Sequence, residues 1–162
     1  MKILTTNIFI VDDDKVMVTA TRQFLERRFG RSVKITTFND GESCLKKVDE
    51  TLHLVILDYY MKNKNGLEIL KSIKTINPKT EVIMLTGNED MVIAIESLRA
   101  GAKNYVAKGT GSQGKVTQMV DYLIAGRNRI LTKKIYKSKY ISIFLITLTI
   151  IGLLVVCVMR SK

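Results

Sequence analysis

Five short strand-like runs, mainly apolar except for the β-branched, alternating 33–38, alternate with amphipathic stretches between residues 8 and 124. The runs cover 8–11, 33–38, 54–57, 81–85 and 104–107. The third, Leu54-Val55-Ile56-Leu57, is wholly apolar and ends in Asp58. Such a run reads as a strand buried on both faces. The intervening stretches carry helical spacing. Met17, Ala20, Phe24 and Leu25 mark the first, stopped by Gly30. Asn39-Asp40 can cap a second, with Cys44, Leu45, Val48 and Leu52 inward. Gly66 opens a third, with Ile69, Ile73 and Ile76 inward and Asn77-Pro78 at its end. Met91, Ala94, Ile95 and Leu98 form one face of a fourth, closed by Gly101. Val116, Met119, Val120, Leu123 and Ile124 mark the fifth.

Strands alternating with helices predict an α/β fold: a parallel sheet covered by helices on both faces and joined by right-handed crossovers. Such sheets bind ligands beyond the carboxyl ends of their strands. The polar residues expected there are Asp12 and Asp13 after strand one, Asp58 after strand three, Thr86 after strand four and Lys108 after strand five. Strand two offers only Asn39. Clustered carboxylates suit a hard divalent cation, and Mg²⁺ keeps positions open for phosphate oxygens. A carboxylate can also act as a nucleophile and form an acyl phosphate. Phosphoryl transfer needs its equatorial oxygens neutralised, by metal, ammonium and hydroxyl. Asp13 with Asp12, Lys108 and Thr86 supply that set around Asp58.

The tail differs in kind. Residues 141–159 contain no charge and are dominated by Ile, Leu, Val and Phe. At ~1.5 Å per residue they reach roughly 28 Å, close to the hydrocarbon thickness of a bilayer. A transmembrane helix is therefore expected. Net charge is +11, yet eight of the 26 Lys and Arg residues, and no acid, lie in 127–162. The basic excess thus belongs to the tail and argues for a membrane surface rather than nucleic acid. Lys133, Lys134, Lys137 and Lys139 precede the apolar stretch, while Arg160 and Lys162 follow it. This bias puts residues 1–140 in the cytoplasm, on a single-pass anchor. The expected divisions are 1–126, a basic linker 127–140, a span 141–159 and a short tail 160–162. No signal peptide is read at the N-terminus. Cys44 and Cys157 lie in different environments and are not expected to pair.

The order of these motifs resembles the receiver domain of two-component response regulators, over roughly residues 5–126. The matching residues are Val11-Asp12-Asp13, Asp58-Tyr59-Tyr60-Met61 with Gly66 beyond, Thr86-Gly87, Tyr105 and Lys108. The resemblance implies a flavodoxin-like strand order 2-1-3-4-5. It implies that Asp58 accepts phosphate from a histidine kinase or histidine phosphotransfer protein. It further implies that Asp13, Asp58 and the Tyr60 backbone carbonyl hold Mg²⁺ with help from Asp12, and that Thr86 and Tyr105 move together on phosphorylation. The chain would then be a membrane-anchored signalling module, catalysing only its own phosphorylation and dephosphorylation. Two positions depart from the family pattern. Lys62 and Gly109 each stand where proline is usual.

Two other readings compete. One is a receiver-like scaffold, not phosphorylated, that forms a homodimer through its membrane helix or its strand-five face. The other is a phosphohydrolase of the haloacid dehalogenase type, which would want an acid where Tyr60 stands. Residues 109–116 nearly match a P-loop, but Val116 occupies the place of the metal-binding hydroxyl, so the segment reads as a glycine-rich loop. His53, the one histidine, has no ligand-spaced partners and reads as a loop or half-buried residue.

Overall fold

The computed structural model describes residues 5–61, 65–87 and 90–160; at 131, 132, 134, 135, 153–155 and 157–159 it describes the backbone alone. Five strands, β1 (Thr6–Val11), β2 (Val33–Phe38), β3 (Leu52–Leu57), β4 (Glu81–Thr86) and β5 (Asn104–Ala107), form one parallel sheet in the order 2-1-3-4-5. The expected flavodoxin-like α/β topology is therefore observed. Its central strand carries the apolar run: Leu54, Val55, Ile56 and Leu57 are at most 1% exposed.

The helices are α1 (Lys15–Phe29), α2 (Gly41–Leu45), α3 (Gly66–Ile76), α4 (Met91–Arg99) and α5 (Ser112–Arg160). α2 packs on α3, and α3 on α4. On the other face, α1 meets the start of α5. Gln113 Nε2 donates to Thr21 Oγ1 at 2.9 Å, and Arg28 pairs with Asp121 at 3.1 Å. Local sequence sets the helix starts. Asp14, Asp40, Asn65 and Asp90 each cap a helix by accepting a first-turn N–H.

Four helical expectations are corrected. On α1, Ala20 and Phe24 are exposed, and Thr21 is buried beside Leu25. α2 ends at Leu45, well before Leu52, which opens β3. The reason is a local turn: Asp49 Oδ1 accepts from both the N–H and the hydroxyl of Thr51, at 2.8 and 2.7 Å. On α3, Leu70 is fully buried and Ile76 is exposed, because Ile76 lies in the last turn. On α4, Met91, Ile95 and Leu98 are exposed, while Ser97 is fully buried. Ile93 and Ala94 are half-buried, so the inward side of the helix is the one that carries Ile93, Ala94 and Ser97.

The chain divides into two compact units, Met1–Asp121 and Tyr122–Lys162. The second is the continuation of α5. Among the described residues no helix is long and apolar enough to cross a membrane, so the expected span at 141–159 is not found there. The side chains of 153–155 and 157–159, Cys157 among them, lie outside the described residues. The described apolar side chains of this segment are all exposed, from 51% at Ile141 to 64% at Phe144. Lys62 also lies outside the described residues.

Candidate functional site

The sheet delivers its acids by register. Val11 pairs with Leu57 across β1 and β3, so Asp12 and Asp58 leave the sheet side by side. Two further bonds extend the ladder past the strand ends: Asp58 N–H donates to Val11 O at 2.9 Å, and Asp12 N–H to Phe38 O at 3.1 Å. Across β4 and β5, Lys108 N–H donates to Thr86 O at 2.7 Å. Backbone pairing thereby holds four residues, far apart in sequence, at one edge of the sheet.

The side chains converge. Lys108 Nζ lies 2.7 Å from Asp12 Oδ2 and 2.9 Å from Asp58 Oδ2. Asp12 is 4% exposed and Asp58 5%. Each acid's second oxygen accepts a backbone N–H: Asp14 donates to Asp12 at 2.9 Å, and Tyr59 to Asp58 at 2.8 Å. Asp13 completes a trio whose ligand oxygens lie within 4.8 Å of one another. The three consecutive aspartates divide their tasks. Asp14 caps α1 through Val16 and Met17, which leaves Asp12 and Asp13 for the crevice.

Burial raises the Asp12 carboxyl above its ordinary range; the hydrogen bond from Lys108 opposes this only in part. For Lys108, burial works against the ammonium, yet the hydrogen bonds to Asp12 and Asp58 outweigh it and raise the amine above its usual value. The lysine is thus a fixed cation at working pH.

The site fits a hard divalent cation. Three carboxylates offer oxygen donors only, closely grouped at a rim where Asp13 keeps partial solvent access. Thr86, fully buried, ends β4 on the sheet face that also carries Tyr105, since Met84 pairs with Tyr105 and Thr86 with Ala107. Tyr105 is half-buried against the core cluster, together with Tyr59 and Met61. Tyr60 is 55% exposed, its ring 4.9 Å from that of Tyr59 and nearly perpendicular to it.

Two features escaped the sequence. The first is the role of Gly66. A Cβ there would lie 2.3 Å from Asp58 O and 2.7 Å from Tyr59 Cα, and Gly66 N–H donates to Tyr59 O at 2.7 Å. Glycine lets α3 start against the backbone that carries Asp58. The second is Gly109, whose φ of +154° is closed to proline, so the loop after Lys108 follows a path the usual residue could not take. The near-P-loop is a turn into α5, with Gly111 also at positive φ and Ser112 buried. His53 is half-buried in β3. Its Nδ1 accepts the Asn7 N–H at 3.0 Å where the β1–β3 register shifts, a structural role.

A flavodoxin-like domain of this kind takes its ligand at the switch point, beyond the carboxyl ends of the strands, where the acid–lysine crevice lies. Known proteins narrow the reading. The model of the response regulator receiver domain matches residues 8–121. The chain is 32% identical over 101 residues to the transcriptional regulatory protein CpxR of Escherichia coli K12, covering 62% of this chain and 42% of CpxR. It is 35% identical over 103 residues to ZraR of Klebsiella oxytoca, covering 63% of this chain and 23% of ZraR. Among solved structures, the BeF3-activated DrrB receiver domain superposes with a TM-score of 0.67 at 30% identity, covering 75% of this chain and 99% of that receiver domain's. A CheY-like receiver from Methanospirillum hungatei JF-1 gives 0.66 at 27%, covering 77% and 98%. The chain belongs to the response regulator receiver domain family. It spans less than half the length of the curated relatives named here.

Proposed function

We propose that this protein is a membrane-anchored receiver that takes a phosphoryl group onto Asp58 from a histidine kinase or histidine phosphotransfer protein. The observation that carries the reading is the single ammonium of Lys108 bridging Asp12 and Asp58 at 2.7 and 2.9 Å, beside Asp13. In the transfer, an Asp58 oxygen attacks phosphorus, the phosphorus–nitrogen bond of the donor breaks, and the electron pair leaves with the imidazole. Lys108 follows the charge from the carboxylate to the phosphoryl oxygens. Asp12, Asp13, Asp58 and the Tyr60 carbonyl would hold Mg²⁺, which neutralises phosphoryl charge when bound. Thr86 contributes a hydroxyl, and its position on the same face as Tyr105 supports coupled movement of the two. The exposed tyrosine at position 60 stands at the rim, where its bulk hinders water attack and lengthens the phosphoryl lifetime.

The tail supports the anchor. Residues 141–159 are uncharged, and their described apolar side chains are exposed on every side of the helix, which costs free energy in water and none in lipid. The basic residues ahead of it favour a cytoplasmic receiver. The exposed apolar face of α4, formed by Met91, Val92, Ile95 and Leu98, favours a protein contact as output, and it is equally what a non-phosphorylated scaffold would offer.

Intact mass after treatment with acetyl phosphate and Mg²⁺ separates the two. One added phosphoryl group, absent in Asp58→Asn, is expected. No adduct with either this donor or a cognate kinase would leave the scaffold reading.

A further inference from the structure

The segment 127–139 of α5 carries Arg127, Arg129, Lys133, Lys134, Lys137 and Lys139, and no acid occurs from Tyr122 to the end of the chain. Arg129, Lys133, Lys137 and Lys139 are exposed. Among the described residues, Arg129 and Lys133 have no ion-pair partner. Arg129, Lys133 and Tyr136 recur at i, i+4 and i+7, so they share one face, and with Asn128 and Ile130 they line an open groove of about 660 Å³. A face of two cations and an aromatic, without counter-charge, selects an anion that has an apolar neighbour.

Distance along the helix identifies that anion. At ~1.5 Å per residue, Lys139 and Lys137 lie roughly 3–6 Å before Ile141, Tyr136 and Lys133 about 8–12 Å, and Arg129 about 18 Å. The headgroup layer is only about 5–8 Å deep on each side of the hydrocarbon core. Flexible lysine stems cover the remaining gap for Lys133. Arg129 stands just outside, where it feels the surface potential. A soluble phosphate would have no reason to demand this graded placement next to an apolar helix.

We propose that the face formed by Arg129, Lys133, Tyr136 and Lys137 binds the phosphate headgroups of anionic phospholipids, making the protein selective for an anionic leaflet. The inference rests on the anchor proposed above. Lys133 and Lys137 near such a surface are each worth about fivefold, and Arg129 beyond the headgroups less, so the expected preference is a few tens of fold.

The full chain, purified in neutral detergent with equal amounts of phosphatidylglycerol and phosphatidylcholine, is examined by native mass spectrometry for retained lipid. Strong enrichment of phosphatidylglycerol is expected, lost in the triple variant Arg129→Gln/Lys133→Gln/Lys137→Gln and kept in Lys115→Gln, a cation outside the segment. Equal retention of the two lipids, or enrichment that survives the triple variant, overturns the proposal. So does displacement of the lipid by inorganic phosphate at matched concentration, which would make the face a free-anion site. Flotation of the same chain with phosphatidylcholine vesicles after an alkaline wash tests the anchor separately. A chain that floats but shows no lipid preference refutes the headgroup site alone; one that does not float refutes the anchor.

Discussion

Asp12 is 4% exposed and lies between a lysine and a second carboxylate. Burial first, and then the charge of Asp58, raises its carboxyl above 3.8, against the pull of Lys108 and the Asp14 N–H. The folded chain therefore keeps that proton more tightly than the unfolded chain. The stability tied to this group is full below pH 3.8 and is lost as pH rises through the folded value. Ionising Asp12 therefore costs stability in the metal-free protein. Asp12→Asn is expected to raise the thermal midpoint of the metal-free protein by a few degrees, about 1 kcal/mol, while sharply reducing Mg²⁺-dependent phosphorylation. Calorimetry and phosphorylation rates check the two halves. At the rim, Tyr60→Asn should shorten the phosphoryl lifetime in a dephosphorylation time course; an unchanged rate removes the shielding role. Cys44 behaves oppositely to a reactive thiol. Burial pushes it up to about 12 from 9.0, so it should resist iodoacetamide at pH 8 until the protein unfolds. Peptide mapping distinguishes it from Cys157.

The elements differ in how much one atom matters. Gly66 and Gly114 both sit in the first turn of a helix. An added Cβ at Gly66 would press into the Asp58–Tyr59 backbone, whereas at Gly114 it would meet nothing within 4 Å among the described residues. Gly66→Ala should therefore destabilise by about 1–3 kcal/mol and slow phosphorylation, because relief of the clash moves Asp58. Gly114→Ala should stabilise by about 0.5–1 kcal/mol, since it only restricts the unfolded chain. Denaturant titration of both gives the sign. The same scale explains where periodicity misled. On α4 the apolar stripe at Met91, Ile95 and Leu98 reads as a core face, yet the helix buries Ser97, whose hydroxyl has no hydrogen-bond partner among the described residues. Hydrophobic spacing marks a face as apolar without saying what covers it.

On the scale of the whole molecule, the receiver's core closes within Met1–Asp121, and every residue of the acid–lysine crevice lies there. A chain ending at Gly126 should keep its unfolding midpoint within a few degrees and still accept phosphate. It should also lose sedimentation with membranes; retained sedimentation would move the anchor into the receiver. What the residues alone determined is the set of elements and their chemistry. Alternating apolar runs, asparagine and aspartate caps and terminal glycines are local, so β2 and β5 begin and end where their runs do, and Asp12, Asp58 and Lys108 are legible at strand ends. The tertiary structure alone decided which carboxylate meets the lysine, which side of α4 turns inward, and why position 66 must lack a side chain. Those depend on distances between segments that are remote in sequence, set by strand register and close packing, and no local pattern encodes them.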